Sequence, residues 1–154
     1  MDGSAGERRR KRYNPAEFTV LLYSHDATTR ERMRTAVGHK PSPALGKVDF
    51  VDAETIDQVI AAADAGAADL LLLDGEAWPT GGAGISRQLK NELASCPPVC
   101  LFIARQADRW LAAWSQADAV IVHPADPILT ARTVAEVLSK RHDASTGRVS
   151  TVRA

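Results

Sequence analysis

A run of four leucines, Leu70 to Leu73, lies between Asp69 and Asp74 and constrains the fold more than any other part of the sequence. The run is far shorter than the roughly 20 residues of a membrane-spanning helix, and its uniform apolarity is not the pattern of an amphipathic helix. A short apolar run closed by turn residues predicts a central strand of a parallel sheet, covered on both faces. Asp74 follows the run, so we expect its carboxylate at the carboxyl edge of the sheet, where open α/β sheets bind ligands.

Strand and helix signals alternate five times along the chain. Apolar and β-branched stretches predict strands over residues 19–23, 48–51, 70–73, 99–103 and 119–122. Apolar residues at helical spacing predict helices over residues 27–39, 55–65, 84–94, 107–115 and 127–141. On the first helix, four charged side chains are predicted to face outward: Arg30, Glu31, Arg32 and Arg34. This order of elements predicts an α/β fold with a parallel, doubly wound sheet and right-handed crossovers.

The two ends of the chain differ in composition from its body. Residues 1–17 are polar and rich in Gly, Ser and Arg, which predicts a disordered arm. We expect one domain over residues 18–141 and a tail over residues 142–154. No apolar segment follows the basic run, so a secretory signal is not expected, and no apolar run is long enough to span a membrane. The two thiols, Cys96 and Cys100, are not a disulfide framework and are typical of a reduced, cytosolic protein.

The formal net charge of zero conceals an uneven distribution. Residues 18–138 hold ten basic and fifteen acidic side chains, a charge of about −5, whereas both ends are positive. The arm carries five consecutive basic residues: Arg8, Arg9, Arg10, Lys11 and Arg12. Cationic ends on an acidic body indicate an anionic partner, which is a nucleic acid, an anionic lipid surface or an acidic protein. Because aromatic residues are not interleaved with the basic ones, sequence-specific nucleic-acid recognition is not expected.

Over residues 18–141 the chain resembles the receiver domain of two-component response regulators. The resemblance rests on the order of the elements, on Asp74 with Pro79 and Gly82 after it, and on His123-Pro124 after the last strand. It implies a three-layer (βα)5, flavodoxin-like fold with the strand order 2-1-3-4-5. One departure is the loop after Asp74, where Pro79 comes five residues later and the family usually has four.

Three stretches are similar to a narrower group of actinobacterial orphan receiver-like proteins: Leu73-Asp74-Gly75-Glu76, Leu93-Ala94-Ser95-Cys96-Pro97-Pro98 and His123-Pro124-Ala125-Asp126-Pro127. That group is associated with the respiratory NADH dehydrogenase, complex I. The resemblance therefore implies an accessory or regulatory subunit on the cytoplasmic arm of complex I. Such a protein would lie at the inner face of the plasma membrane through its partner.

The resemblance also implies which residues occupy the positions of the phosphorylation site. A working receiver holds Mg²⁺ with an acidic pair after strand 1 and accepts phosphate on the strand-3 aspartate. A hydroxyl residue after strand 4 and a lysine after strand 5 stabilise the phosphoryl group. In this chain those positions hold, in order, Ser24 with His25, then Asp74, Ala104, and His123 followed by Pro124. We therefore predict a degenerate pocket, without a cofactor, a metal or an enzymatic activity.

Several side chains at this edge leave alternatives open. Asp74 is either a residual phosphate acceptor or a hydrogen-bonded polar end of the strand. His25 and His123, with Asp26 and Asp74, form either a metal site, for which the spacing matches no zinc pattern, or a His–Asp hydrogen bond. Asp26 comes one residue too late for the acidic pair, and we predict that it caps the following helix.

Aromatic and glycine residues add further signals. Trp110 and Trp114 are four residues apart on one helix face, and they either pack on the sheet or form an anchor for a partner. Trp78 either fills the vacant pocket or contacts a partner. The stretch Gly81-Gly82-Ala83-Gly84 predicts a flexible loop rather than an anion-binding turn.

The favoured hypothesis is a non-catalytic, receiver-like module that acts by protein–protein interaction. The alternative is a stand-alone response regulator that a histidine kinase phosphorylates on Asp74. A third hypothesis is a transcription regulator that uses the basic arm.

Overall fold

The computed structural model describes residues 17–76, 81–123 and 125–145, with side chains up to residue 141. The basic run of Arg8 to Arg12, Trp78, Pro79, Pro124 and the chain beyond Ser145 lie outside these residues. What the sequence predicts for them therefore stays a prediction.

Within the described residues, five parallel strands form one sheet with the order β2-β1-β3-β4-β5. The strands are β1 (Phe18–Tyr23), β2 (Val48–Ala53), β3 (Leu70–Asp74), β4 (Val99–Ile103) and β5 (Ala119–Val122). This order confirms the predicted fold, with the leucine run in the middle of the sheet. Asp74 is the last residue of β3 rather than the first residue after it.

The helices connect the strands in the predicted order. They are α1 (Ala27–Val37), α2 (Ile56–Asp64), α3 (Gly82–Glu92), α4 (Trp110–Ser115) and α5 (Pro127–Ser145). Of the helices in the described chain, none is both long and apolar enough to cross a membrane. α5 continues four residues past 141, so the domain boundary predicted after Arg141 falls inside a helix.

Two helix starts differ from the prediction. The helix predicted over residues 107–115 begins as a 3₁₀ turn, Gln106–Arg109, and the Arg105–Asp108 ion pair (2.9 Å) closes this turn. α4 then ends where Gln116 adopts the left-handed conformation (φ 62°). α3 begins at Gly82, so the loop predicted through this residue is wrong. An added Cβ there would lie 2.7 Å from the Cβ of Leu73, which makes glycine necessary at this close approach of helix and strand.

The four leucines of β3 are fully buried, and they alternate between the two faces of the sheet. Leu71 and Leu73 pack in one core cluster with residues of α2 and α3, namely Val59, Ala63, Ile85 and Leu89. Leu70 and Leu72 pack in the second cluster with residues of α1 and α5, namely Met33, Val37, Val134 and Leu138. Since helices cover both faces, β3 needs apolar residues at every position.

Candidate functional site

The topology brings the predicted pocket residues to one edge of the sheet. In the register of the strands, Tyr23 pairs with Leu73 and Asp74 pairs with Phe102. Ser24 follows β1, Ala104 follows β4 and His123 follows β5. Because the strands are parallel, these residues lie at the carboxyl edge on both sides of Asp74.

Asp74 is buried, with 7% of its surface exposed, and both of its carboxylate oxygens accept hydrogen bonds. The Ser24 hydroxyl donates to Oδ2 over 2.8 Å. The backbone N–H of Glu76 donates to Oδ1 over 2.9 Å. Hydrogen bonds of this kind satisfy a buried carboxylate without a metal ion.

Ser24 connects Asp74 to the start of α1. Its side chain is fully buried, and its Oγ accepts a hydrogen bond from the Asp26 N–H over 3.1 Å. Asp26 caps α1 as predicted, since Oδ1 accepts from Thr28 N–H and Oδ2 accepts from the Thr29 hydroxyl. These two hydrogen bonds hold the pKa of Asp26 below its ordinary value. His25, between Ser24 and Asp26, is exposed.

Arg30 is the site residue that the sequence interpretation missed. We predicted an outward side chain, but Arg30 is only 7% exposed. Its Nη1 donates to the Ser24 carbonyl, and its Nε donates to Asp52 Oδ2 over 2.9 Å. The signal was present in the sequence, because Arg30 lies three and seven residues before the core residues Met33 and Val37. Asp52, near the end of β2, and Glu54, just after it, form ion pairs with Arg30 and compensate for the burial of its charge.

Asp52 is the main partner of Arg30 and also binds Arg34. Burial alone would raise the pKa of Asp52, but hydrogen bonds from the two arginines hold it below its ordinary value. The guanidinium of Arg30 therefore links the end of β2 to the loop after β1, on which Ser24 lies.

On the other side of Asp74, Ala104 and His123 occupy the positions at which the resemblance implies a hydroxyl residue and a lysine. Ala104 is exposed and carries only a methyl group. His123 is half-buried, with its ring against Phe102 in an edge-to-face contact (centroids 5.3 Å apart). Its Nδ1 is buried without a hydrogen-bond partner among the described residues. The predicted His–Asp hydrogen bond is therefore not formed by His123 in this part of the chain.

The resemblance to receivers implies Mg²⁺ at this edge, but the described residues do not provide the set of oxygen ligands that this ion prefers. Mg²⁺ prefers an octahedral set of oxygen ligands. Asp74 already accepts two hydrogen bonds, and the oxygens of Asp26 are held at the start of α1. In the described residues, no group of three His, Cys, Asp or Glu side chains lies close enough to hold a metal.

The two tryptophans of α4 are exposed, so the alternative in which they pack on the sheet is wrong. Trp110 is 62% exposed and Trp114 is 44% exposed. The guanidinium of Arg87 stacks on the Trp114 ring at 4.9 Å, and its Nη1 donates to the Trp114 carbonyl over 2.7 Å. Tryptophan is enriched among the residues that contribute most to the affinity of protein interfaces, so these two exposed side chains are candidates for a binding surface.

A cleft of about 430 Å³ lies between the 3₁₀ turn, β5 and the start of α5. Arg109, Val120, Leu129 and Thr130 are among its lining residues. Leu129, near the start of α5, is 56% exposed. We call this surface, formed by Arg105, Arg109, Trp110, Trp114 and Leu129, the α4–β5–α5 face.

Comparison with known proteins identifies relatives of this chain. An uncharacterized response regulatory protein of Mycobacterium tuberculosis strain H37Rv is 49% identical over 119 residues, which span 77% of this chain and 90% of that protein. Its counterpart in strain CDC 1551 / Oshkosh matches equally well. No profile of a protein family matches the chain.

Solved structures show the same fold at low sequence identity. The receiver domain of AraT, a response regulator from Geobacillus stearothermophilus, has a TM-score of 0.65 at 20% identity and covers 83% of this chain and 98% of its own. A CheY-like receiver domain protein from Methanospirillum hungatei has a TM-score of 0.62 at 14% identity, covering 84% of this chain and 99% of its own. The fold, the strand order and the close relatives together establish that this chain belongs to the receiver family of response regulators.

Proposed function

We propose that this chain is a receiver that acts by binding another protein rather than by carrying a phosphoryl group. The observation that carries the proposal is the set of side chains around Asp74: Ser24, Ala104 and His123 occupy the positions of the family's acid, hydroxyl and lysine. Response regulator receiver domains are generally signalling modules rather than enzymes. In this chain we infer that signalling depends on the protein's surface.

The surroundings of Asp74 would stabilise a phosphoryl group poorly. Ala104 has no hydroxyl to donate, and His123 supplies a short, half-buried ring where the family carries a long ammonium side chain. Phosphoryl transfer depends on cations and hydrogen-bond donors that are already aimed at the developing charge. With these missing, we expect Asp74 to be a poor phosphate acceptor.

The α4–β5–α5 face is the surface that best supports binding. It combines two exposed tryptophans and Leu129 with the guanidinium groups of Arg105 and Arg109. Tryptophan and arginine are enriched among the residues that contribute most to the affinity of protein interfaces. The adjacent cleft can receive a side chain of the partner.

For the partner, we propose the cytoplasmic arm of the respiratory NADH dehydrogenase, complex I, with this chain as an accessory subunit. The support is the similarity of three stretches, around Asp74, Pro97 and His123, to the orphan receiver-like proteins associated with that complex. The basic run of the N-terminal arm provides a second, cationic element for an acidic surface of a large assembly.

Affinity purification of the tagged full chain from membranes tests this proposal. We expect subunits of complex I to be recovered with the unaltered chain, and recovery to fall at least about tenfold when both Trp110 and Trp114 are replaced by alanine. Val51→Ala is the matched control, because Val51 is an exposed apolar residue (46%) on the edge strand β2, at the far side of the sheet.

Two outcomes would contradict the proposal at different points. Recovery of no respiratory subunit with the unaltered chain removes the proposed partner. Equal recovery with the tryptophan variant and the unaltered chain removes the α4–β5–α5 face as the binding surface.

A further inference from the structure

A groove of about 940 Å³ runs along the other side of α5, away from the α4–β5–α5 face. One wall is the proline-containing segment 41–43 between α1 and β2, and the other wall is the outer face of α5. Ile128, Ala131 and Ala135 make much of that wall apolar. Ile128 is 71% exposed, more than the other large apolar side chains exposed in the described chain. This groove has no role in the function proposed above.

The charges along the groove argue against the N-terminal arm as its occupant. Arg132 and Lys140 lie along the groove, with Glu136 between them. The arm carries five consecutive basic residues, so it would meet more positive than negative charge there. An occupant that carries both acidic and basic side chains would pair better with these three charges.

The outer face of α5 is complementary to a second copy of itself. Arg132 and Glu136 are four residues apart, and neither forms an ion pair with any described residue. In an antiparallel pair of α5 helices with a twofold axis at the level of residue 134, each Arg132 faces Glu136 of the second copy. A twofold interface requires this kind of self-complementarity.

The same arrangement accommodates the apolar residues. Ala131 and Ala135 are small, so the two helices can approach closely at the crossing. Ile128 then lies at the level of Lys140 in the second copy, about 18 Å along the helix from its own Lys140. Pro41 and Pro43 also line the groove and provide apolar surface for the exposed isoleucine.

We propose that a second copy of this chain docks in the groove, α5 against α5, and forms a symmetric dimer that leaves the α4–β5–α5 face open. The dimer does not depend on the partner proposed above. Each single charge reversal places like charges opposite each other twice, because the interface is symmetric.

Sedimentation of the full chain from micromolar to millimolar concentration tests the dimer. We expect Arg132→Glu and Glu136→Arg each to weaken dimerisation about tenfold or more, and the double variant R132E/E136R to restore it within about threefold. Ile128→Asp is expected to abolish it, whereas Trp110→Ala, on the other face, should leave it unchanged. Circular dichroism of each variant verifies that α5 still folds.

Three results would overturn the proposal. The first is a chain that stays monomeric at every concentration. The second is a dimer that tolerates both single charge reversals but is lost in Trp110→Ala, which would place the interface on the α4–β5–α5 face. The third is a full chain that stays monomeric and dimerises only when residues 1–16 are removed, which would make the arm the occupant of the groove.

Discussion

Replacing Gly82 with alanine is expected to lower the free energy of unfolding by about 3 kcal/mol. The added Cβ would lie 2.7 Å from the Cβ of Leu73 and 2.9 Å from the carbonyl oxygen of Asp74. Both of these atoms are fixed by the central strand, so neither can move aside as the end of a flexible side chain could. The first turn of α3 would have to shift away from β3, and contacts in the core would be lost.

Gly84→Ala is the matched control for this prediction, two residues along the same helix. An added Cβ at Gly84 meets no atom within 4 Å. Alanine is the better helix former, so Gly84→Ala should raise the free energy of unfolding by about 0.5–1 kcal/mol. Urea unfolding of the two variants and the unaltered chain measures both effects. Equal effects of the two substitutions would show that Gly82 does not make the close contact described above.

Replacing Arg30 with methionine is expected to lower the free energy of unfolding by about 2 kcal/mol. Methionine keeps much of the length of the side chain but donates no hydrogen bond. The Ser24 carbonyl and one oxygen of Asp52 would lose the donor that they share. Because Asp52 is partly exposed, water replaces some of its loss, and the larger part comes from the carbonyl.

Arg34→Met is the control, since Arg34 also binds Asp52 but is more exposed than Arg30. Its expected cost is below about 1 kcal/mol. The pKa of Asp52 is lowered by the arginines in the folded chain, so the ion-pair contribution is present above the ordinary pKa of 3.8 and is lost as the pH falls through the lower, folded value. The difference between Arg30→Met and the unaltered chain should therefore shrink in acid. A difference that grows in acid would contradict the assigned pair.

The fold could be predicted because its strongest signals are local. The leucine run, the five strand segments and the order of the helices all follow from apolar patterns within short windows, and tertiary contacts reinforce them. The start of α3 was not predicted, because closely spaced glycines are typical of a loop. The close approach to Leu73 that requires glycine at position 82 is a tertiary contact, which local patterns do not show. α4 is shorter than predicted because Gln106–Arg109 form a 3₁₀ turn, whose residue spacing is close to that of an α-helix.

The candidate site was predicted less completely than the fold. The end of the leucine run predicted the position of Asp74, and the resemblance to receivers implied Ser24 and His123 at the same edge. Which hydrogen bonds form there depends on distances between loops, so a His–Asp pair was predicted at this edge, whereas the side chain that donates to Asp74 is that of Ser24. Arg30 was predicted to face outward because it is charged, although its spacing to the core residues places it on the buried face of α1.

The most direct test of the central claim is a titration of the full chain with beryllofluoride and Mg²⁺, followed by the backbone amide NMR signals around Asp74. Beryllofluoride is a phosphoryl mimic that requires a competent acceptor and the metal. We expect no Mg²⁺-dependent shift at Gly75, Glu76 or Ala104, in the unaltered chain or in Asp74→Asn. Saturable, Mg²⁺-dependent shifts at these amides that disappear in Asp74→Asn would show a working phosphorylation site and would contradict the account.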